Sequence, residues 1–303
     1  MPLLHGVVPP LITPLAARDQ LDLPALRGLI DHVIAGGANA LFLLGTTGEF
    51  ASLSPRTRRE VITRAGRHIA SRVPFVVGIS DPCLSETLAL AAHAMVAGAA
   101  AVVVTVPYYL PPTQDELVDY VRTIAREQPL PILLYNIPVL TKVAFEVDTV
   151  HRLADVEHVI GIKDSSGELQ LLRDVAATAR PDWSLLVGAA RLFAPGIAAG
   201  LHGCVPGPAN IAPRLFADLY AALTANDAPR AALLQERVDR LASISRITGS
   251  RTPDGIRGLK AALSLMGIGN GRMTDPFHPA TPDQRDQIRA TLLEFDLPLA
   301  PVS

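Results

Sequence analysis

Lys163 stands inside an apolar run, Val159-Ile160-Gly161-Ile162-Lys163-Asp164-Ser165-Ser166. A lysine between isoleucines has poor access to water, and desolvation disfavours its ammonium form and lowers its pKa. A partly neutral amine is a nucleophile that can form a Schiff base with a carbonyl substrate. The plainer alternative is a strand-end lysine whose ammonium snorkels to solvent or meets a carboxylate. Other residues with matching chemistry close neighbouring apolar runs. Gly45-Thr46-Thr47-Gly48 offers hydroxyls and amides between two glycines, which let the backbone come close to a ligand and grip a carboxylate. Pro107-Tyr108-Tyr109 and Tyr135-Asn136-Ile137-Pro138 supply phenols, while Val187-Gly188 and Val205-Pro206-Gly207 end two later runs. An amine nucleophile among phenols and hydroxyls has the parts of an acid–base site. Taken singly, each part also has a structural use. The glycine–threonine segment can be an ordinary strand-to-helix turn, and Tyr135 can be a core tyrosine with a satisfied hydroxyl. Glu49 reads as a hydrogen-bonding residue of the loop rather than as a catalytic acid.

The rest of the chain argues against several other chemistries. Its 303 residues carry a formal charge of −2 with no long charge run, so no nucleic-acid or anionic-membrane surface is expected. Cys83 and Cys204 match no metal or redox spacing, and so few cysteines suit a reducing, cytoplasmic compartment. The eight histidines form no metal constellation; neither a metal nor a cofactor is expected. Residues 1–10 lack the basic patch and apolar stretch of a secretory signal. Residues 89–106 are nearly uncharged, but they are alanine-rich before Gly98 and valine-rich after it. A helix, a turn and a buried strand explain that switch better than a membrane span.

The elements that must position these residues follow from the pattern of apolar runs. The runs cover 7–13, 40–46, 75–80, 101–107, 131–137, 159–165, 184–190 and 203–209. Each is uniformly apolar, as strands buried on both faces require. Helical patterns lie between them. One runs over 23–35 behind Asp22, and another over 58–69 behind the Ser54-Pro55 start signal. Thr113 with Glu116, and Ser165 with Glu168, fit capping boxes, and Gly37, Gly98 and Gly200 mark helix ends. Eight strands alternating with helices predict an α/β fold, a (β/α)8 TIM barrel, over residues 1–226. An open doubly wound sheet is the alternative, and no glycine-rich dinucleotide fingerprint follows the first strand to support it. Residues 227–303 read as a C-terminal helical extension, with helices over 228–247, 253–266 and 281–295. In such barrels the site lies at the C-terminal ends of the strands, which is where the chemical residues fall.

Three motifs in order and at matching spacing carry a resemblance: Gly45-Thr46-Thr47-Gly48-Glu49, Tyr135-Asn136-Ile137-Pro138 and Gly161-Ile162-Lys163-Asp164-Ser165. From Val7 to the C-terminal helices the chain resembles the dihydrodipicolinate synthase / N-acetylneuraminate lyase family of pyruvate-dependent class I aldolases. The resemblance implies that Lys163 forms the Schiff base with pyruvate, or with a 2-oxo acid to be cleaved. It makes Tyr135 the proton shuttle and gives Thr47 and its amide, beside Gly48, the pyruvate carboxylate. Thr46 would link Tyr135 to Tyr109 of a neighbouring subunit. Gly188 and the carbonyl of Val205 would line the pocket. The assembly it implies is a homotetramer built as a dimer of dimers.

Departures from the family pattern shape the substrate expectation. Synthases of this family place an arginine after the Tyr-Asn-x-Pro motif to grip aspartate semialdehyde; here the position is Leu140, with Lys142 two residues on. Leucine cannot replace a bidentate carboxylate clamp. Sialic-acid lyases share that leucine but carry an acidic pair where this chain has Ala190 and Arg191. Arg191 offers a positive group on the rim, or pairs with a surface carboxylate. The positions of the lysine feedback site hold Pro55, Arg58 and Pro82, with only Glu86 fitting, so strong lysine inhibition is not expected. The leading expectation is a lyase or aldolase acting on a 2-keto-3-deoxy sugar acid or on 4-hydroxy-2-oxoglutarate. Dihydrodipicolinate synthesis with altered second-substrate contacts, a Schiff-base dehydratase, and a non-catalytic metabolite-binding barrel are the alternatives.

Overall fold

Each apolar run contributes one parallel strand to a single sheet: β1 (Gly6–Val7), β2 (Leu41–Leu43), β3 (Phe75–Gly78), β4 (Ala101–Thr105), β5 (Ile132–Asn136), β6 (Val159–Asp164), β7 (Ser184–Val187) and β8 (Gly203–Cys204). The computed structural model describes residues 2–301; Met1, Val302 and Ser303, which fall within the expected domain bounds, lie outside the described residues. Neighbours run in chain order from β2 to β8, and β8 pairs with β1. Beyond β1 the chain closes the ring. Pro10 bridges to Phe42, whose amide donates to the Pro9 carbonyl at 3.0 Å and whose carbonyl accepts from Leu11 at 2.9 Å. The (β/α)8 barrel is thus a closed sheet with helices outside it.

Alternation along the strands fills two layers. Ala101 and Val103 of β4, with Leu133 and Tyr135 of β5, point into the barrel beside Phe42, Val76 and Leu186. Val102, Val104, Ile132 and Leu134 pack outward against the helices. In β6 this alternation is reset. Val159 pairs with Ile132, yet Gly161 pairs with Leu133, so Ile160 is an extra residue and the strand bulges. Ile160 packs on the inner cluster while Ile162 packs outward. Without the bulge, Lys163 would fall on the outer face. Gly161 makes the bulge possible: its φ is +142°, and a Cβ there would lie 2.0 Å from the Ser184 carbonyl oxygen.

Several starts and stops follow the sequence signals. Ser54 caps the helix Pro55–Ile69 by accepting from the Thr57 amide, and Thr113 with Glu116 forms a full capping box on Gln114–Glu127. Residues 89–106 divide into the helix Leu84–Val96, a turn at Gly98 and β4, and no helix among the described residues is long and apolar enough to cross a membrane. Other expectations need correction. Ser165 and Glu168 do not form a capping box: the next helix starts only at Gln170, behind Leu169, and the neighbouring Ser166 hydroxyl donates to Asp164 instead. The first and last runs yield two-residue strands because Pro9, Pro10, Pro206 and Pro208 cannot donate to a ladder. A hairpin, Leu15–Ala17 with Gln20–Leu21, precedes the first helix. The pattern over 228–247 breaks into Ala228–Ala242 and Ile244–Ile247, followed by Thr252–Leu265 and Pro282–Leu293.

Candidate active site

The β6 bulge puts Lys163 in register with Tyr135 on β5. Both are 3% exposed. The Lys163 Nζ lies 3.8 Å from the centroid of the Tyr135 ring and 5.0 Å from that of Phe42, and the two rings meet edge to face at 6.2 Å. The adjacent carboxylate of Asp164 is occupied elsewhere. Its Oδ1 accepts from Asn136 Nδ2 at 2.7 Å and its Oδ2 from the Ser166 hydroxyl at 2.6 Å. Burial raises the Asp164 pKa, against the lowering effect of those hydrogen bonds. Asn136 in turn accepts from the Phe145 amide at 3.0 Å. A polar clasp therefore joins β5 to β6 one residue beyond the Tyr135–Lys163 pair.

The Gly45–Gly48 turn meets this pair from β2. The Thr46 Oγ1 lies 3.2 Å from the Tyr135 hydroxyl, either atom able to donate. A Cβ at Gly45 would fall 2.8 Å from the Phe42 ring, so a larger residue would push the turn off the barrel mouth. The Gly48 carbonyl accepts from Thr13 Oγ1 at 2.7 Å. Glu49 ends the turn in the left-handed region, φ 57°, and its carboxylate is buried. It pairs with Lys260 and accepts from the amide and hydroxyl of Thr274 at 2.9 and 2.8 Å. Lys260 also donates to the Arg272 carbonyl at 2.8 Å. Burial lowers the Lys260 pKa while Glu49 opposes that shift. Glu49 is the structural residue expected of it, and its partner comes from the C-terminal extension. Breaking such a buried pair by removing one member costs about 3–5 kcal/mol.

The remaining expected residues occupy distinct places. Gly188 donates its amide to the Asp164 carbonyl at 2.7 Å, and a Cβ there would meet the Ser165 hydroxyl at 2.0 Å. Val205 is buried in the barrel interior. Thr47 faces the loop after β8, 3.9 Å from where a Cβ of Gly207 would stand. Tyr109 is 94% exposed, so within one chain Thr46 meets Tyr135 but not Tyr109. Arg191 donates to the Gly167 carbonyl rather than to a surface carboxylate. Among the described residues no cluster of three or more His, Cys, Asp or Glu could hold a metal. Around the positions compared with a lysine site, Arg58 pairs with Asp81 at 2.8 Å and Arg59 engages Glu86 at 2.7 and 2.8 Å. Glu86 already has its cation.

Over the barrel mouth lies a cleft with two lobes that share Thr46, Thr252 and Ile256. One, of about 260 Å³, is walled by Phe50, Tyr108, Ile137, Leu140, Met273 and Phe277. Its one charged group is Glu49, which is committed to Lys260. The other, of about 660 Å³, contains Thr47, Arg191, Asp239, Ser245 and Arg246. Sequence reasoning found neither Lys260 nor the lining from 245 to 277. An isolated lysine within the helical pattern Thr252–Leu265 was the only available signal.

Comparison with known proteins gives a uniform result. The model of the Dihydrodipicolinate synthetase family matches residues 3–294. An uncharacterized DapA-like lyase of Halobacterium salinarum is 34% identical over 97% of this chain and 95% of its own. A 4-hydroxy-tetrahydrodipicolinate synthase of Azoarcus sp. is 32% identical over 94% of this chain and 96% of its own. Among solved structures, dihydrodipicolinate synthase from Bacteroides thetaiotaomicron superposes with a TM-score of 0.92 at 41% identity, covering 96% of this chain and 98% of that one. YagE, a prophage protein of E. coli K12 solved with pyruvate, gives 0.92 at 30%, covering 97% and 99%.

Proposed function

Given that the chain belongs to the dihydrodipicolinate synthetase family, we propose that it is a pyruvate-dependent lyase working through a Schiff base on Lys163. Its substrate is a 2-oxo acid of the 2-keto-3-deoxy sugar acid or 4-hydroxy-2-oxoglutarate type, cleaved to pyruvate and an aldehyde or formed from them. The observation that carries this reading is the placement of the Lys163 amine inside the barrel against Tyr135, whose hydroxyl meets Thr46 at 3.2 Å. In this reading the Lys163 amine adds to the C2 carbonyl, and loss of water gives the iminium. Tyr135, relaying through Thr46, takes the proton of the C4 hydroxyl as the C3–C4 bond breaks. The bonding pair moves into the iminium as an enamine, and the aldehyde leaves. Protonation at C3 and addition of water then free pyruvate and the amine. The Thr47 hydroxyl and the turn amides hold the carboxylate beside Gly48.

Synthesis from aspartate semialdehyde is the second reading, favoured by the names of relatives such as the Azoarcus enzyme. Against it stands the apolar lobe, where Leu140 supplies no cation for a second carboxylate. A panel of 2-oxo acids for pyruvate release, run beside a reductase-coupled assay with aspartate semialdehyde, separates the two. Release from at least one 2-keto-3-deoxy acid or 4-hydroxy-2-oxoglutarate is expected. The aspartate semialdehyde rate should be weak, since loss of a charged clamp costs on the order of 2–5 kcal/mol. Efficient condensation with aspartate semialdehyde would reverse the order of the two readings.

The same proposal includes shared sites in a homotetramer, a dimer of dimers. Tyr109 and Leu110 are exposed side by side, and Tyr109 holds φ 81°. In this reading a second copy covers the pair, and that copy's Tyr109 would complete the Thr46 relay. Light scattering at assay concentration should give a dimer or tetramer; a fully active monomer ends the shared-site model. A cytoplasmic location belongs to this reading as well, with Cys83 and Cys204 as free thiols.

A further inference from the structure

We infer that Lys260 is a positioning residue for the 2-oxo acid: it balances the charge of Glu49, and so lets a turn anchored by one carboxylate receive another. This rests on the pyruvate-lyase reading, in which the Gly45–Gly48 turn holds the acid group. The Gly48 and Glu49 amides close onto the Gly45 and Thr46 carbonyls at 2.9 and 3.0 Å, whereas the Thr46 and Thr47 amides have no acceptor among the described residues. Two donors therefore face outward. An acidic residue follows them directly, in left-handed backbone, φ 57°, that favours glycine over any side chain. The Glu49 side chain is the anchor of the turn: the amide and hydroxyl of Thr274 both donate to it. The same residue lines the lobe of about 260 Å³ together with Thr46, and no other charged residue does. Unbalanced, Glu49 would make that wall negative in a setting poor in water, where repulsion between charges is stronger. Lys260 removes the excess. It is buried, pairs with Glu49 and donates to the Arg272 carbonyl at 2.8 Å. It lines neither lobe of the cleft, so it acts on the substrate through Glu49. Its helix, Thr252–Leu265, also carries Thr252 and Ile256 over the cleft, so the roof and the balancing charge arrive on one element.

The test compares pyruvate with methyl pyruvate, a neutral ester with the same keto group, by the half-saturation of borohydride trapping on Lys163. Lys260→Met and Lys260→Gln should each weaken pyruvate by about tenfold and methyl pyruvate by less than about threefold, the effect of one unbalanced charge on an anion. The Gln variant keeps a donor for the Arg272 carbonyl. The double Glu49→Gln/Lys260→Met variant buries no charge and should return the preference between the two ligands to that of the parent protein. Glu49→Gln alone should tip the preference further toward pyruvate, increasingly as the pH falls and Lys260 keeps its proton. That arm decides the matter if the Lys260 variants do not fold. A turn that is merely loosened weakens both ligands alike and leaves the double variant no better than Lys260→Met. Such a result overturns the inference, as does an unchanged preference in Glu49→Gln at every pH. No trapping at Lys163 in the parent protein removes the lyase reading and this inference with it. Trapping there with a preference indifferent to these changes ends this inference alone.

Discussion

Replacement of Lys163 by Met is expected to abolish turnover while leaving the fold intact. Loss of a covalent nucleophile costs on the order of 10⁴-fold or more in kcat, roughly 5 kcal/mol of barrier. Met is the informative substitute because it keeps the length of the side chain and packs well against aromatic rings. Lys163 already lies against the rings of Tyr135 and Phe42. Removing a buried amine from that setting takes away a desolvation cost, so thermal stability should hold or rise. The companion measurement is borohydride reduction with pyruvate, read by peptide mass. The parent protein should gain a reduced pyruvyl group on the peptide that contains Lys163, and the Met variant should gain none. Labelling of another lysine, such as the buried Lys260, would move the chemistry to the wrong end of the Glu49 pair and end the mechanism.

Much of this arrangement is legible in the sequence, for physical reasons that differ from part to part. Strands buried on both faces are written as uninterrupted apolar runs, so their number and order could be read directly. Their lengths could not. Pro9, Pro10, Pro206 and Pro208 silence donors at the rim, and the ring closes through the bridge from Pro10 to Phe42 and the Asn39 amide on the Val7 carbonyl rather than through a regular ladder. The orientation of Lys163 was also hidden. Strict alternation from Ile160 places it outside the barrel, and only the Gly161 bulge, recorded in the β6 pairing, turns it inward. A glycine in a strand signals a bulge or a close backbone approach without saying which.

The site was less legible where it depends on contacts distant in the chain. Thr46, Tyr135 and Lys163 could be grouped because each ends a strand of one barrel. The Glu49–Lys260 pair joins residues too far apart for any local pattern to couple them. The same holds for the two lobes of the cleft, whose roof comes from Thr252 and Ile256. Leu140 and Arg191 were visible as residues, yet their division between an apolar lobe and a charged one is a property of packing.

Replacing Tyr135 with Phe gives the second large effect, and it separates proton transfer from packing. The ring lies in the barrel core, edge to face with Phe42 and under the Lys163 amine. Phe preserves all of those contacts and deletes one oxygen. The structural cost is the hydrogen bond to Thr46, about 0.5–1.5 kcal/mol, so the unfolding temperature should fall slightly at most. The kinetic cost is far larger, because a positioned acid–base group contributes roughly 10²–10⁴-fold. We expect kcat to fall by about a hundredfold or more, with trapping of pyruvate on Lys163 still detectable at long incubation. Thr46→Val should impair turnover through the same 3.2 Å contact. If the two act as one relay, the double variant will be little worse than Tyr135→Phe alone; independent roles would make the losses multiply. Wild-type turnover by Tyr135→Phe would show that the proton travels by another route. The oxygen of Tyr135 would then be a core hydroxyl satisfied by Thr46, with the amine of Lys163 served by water.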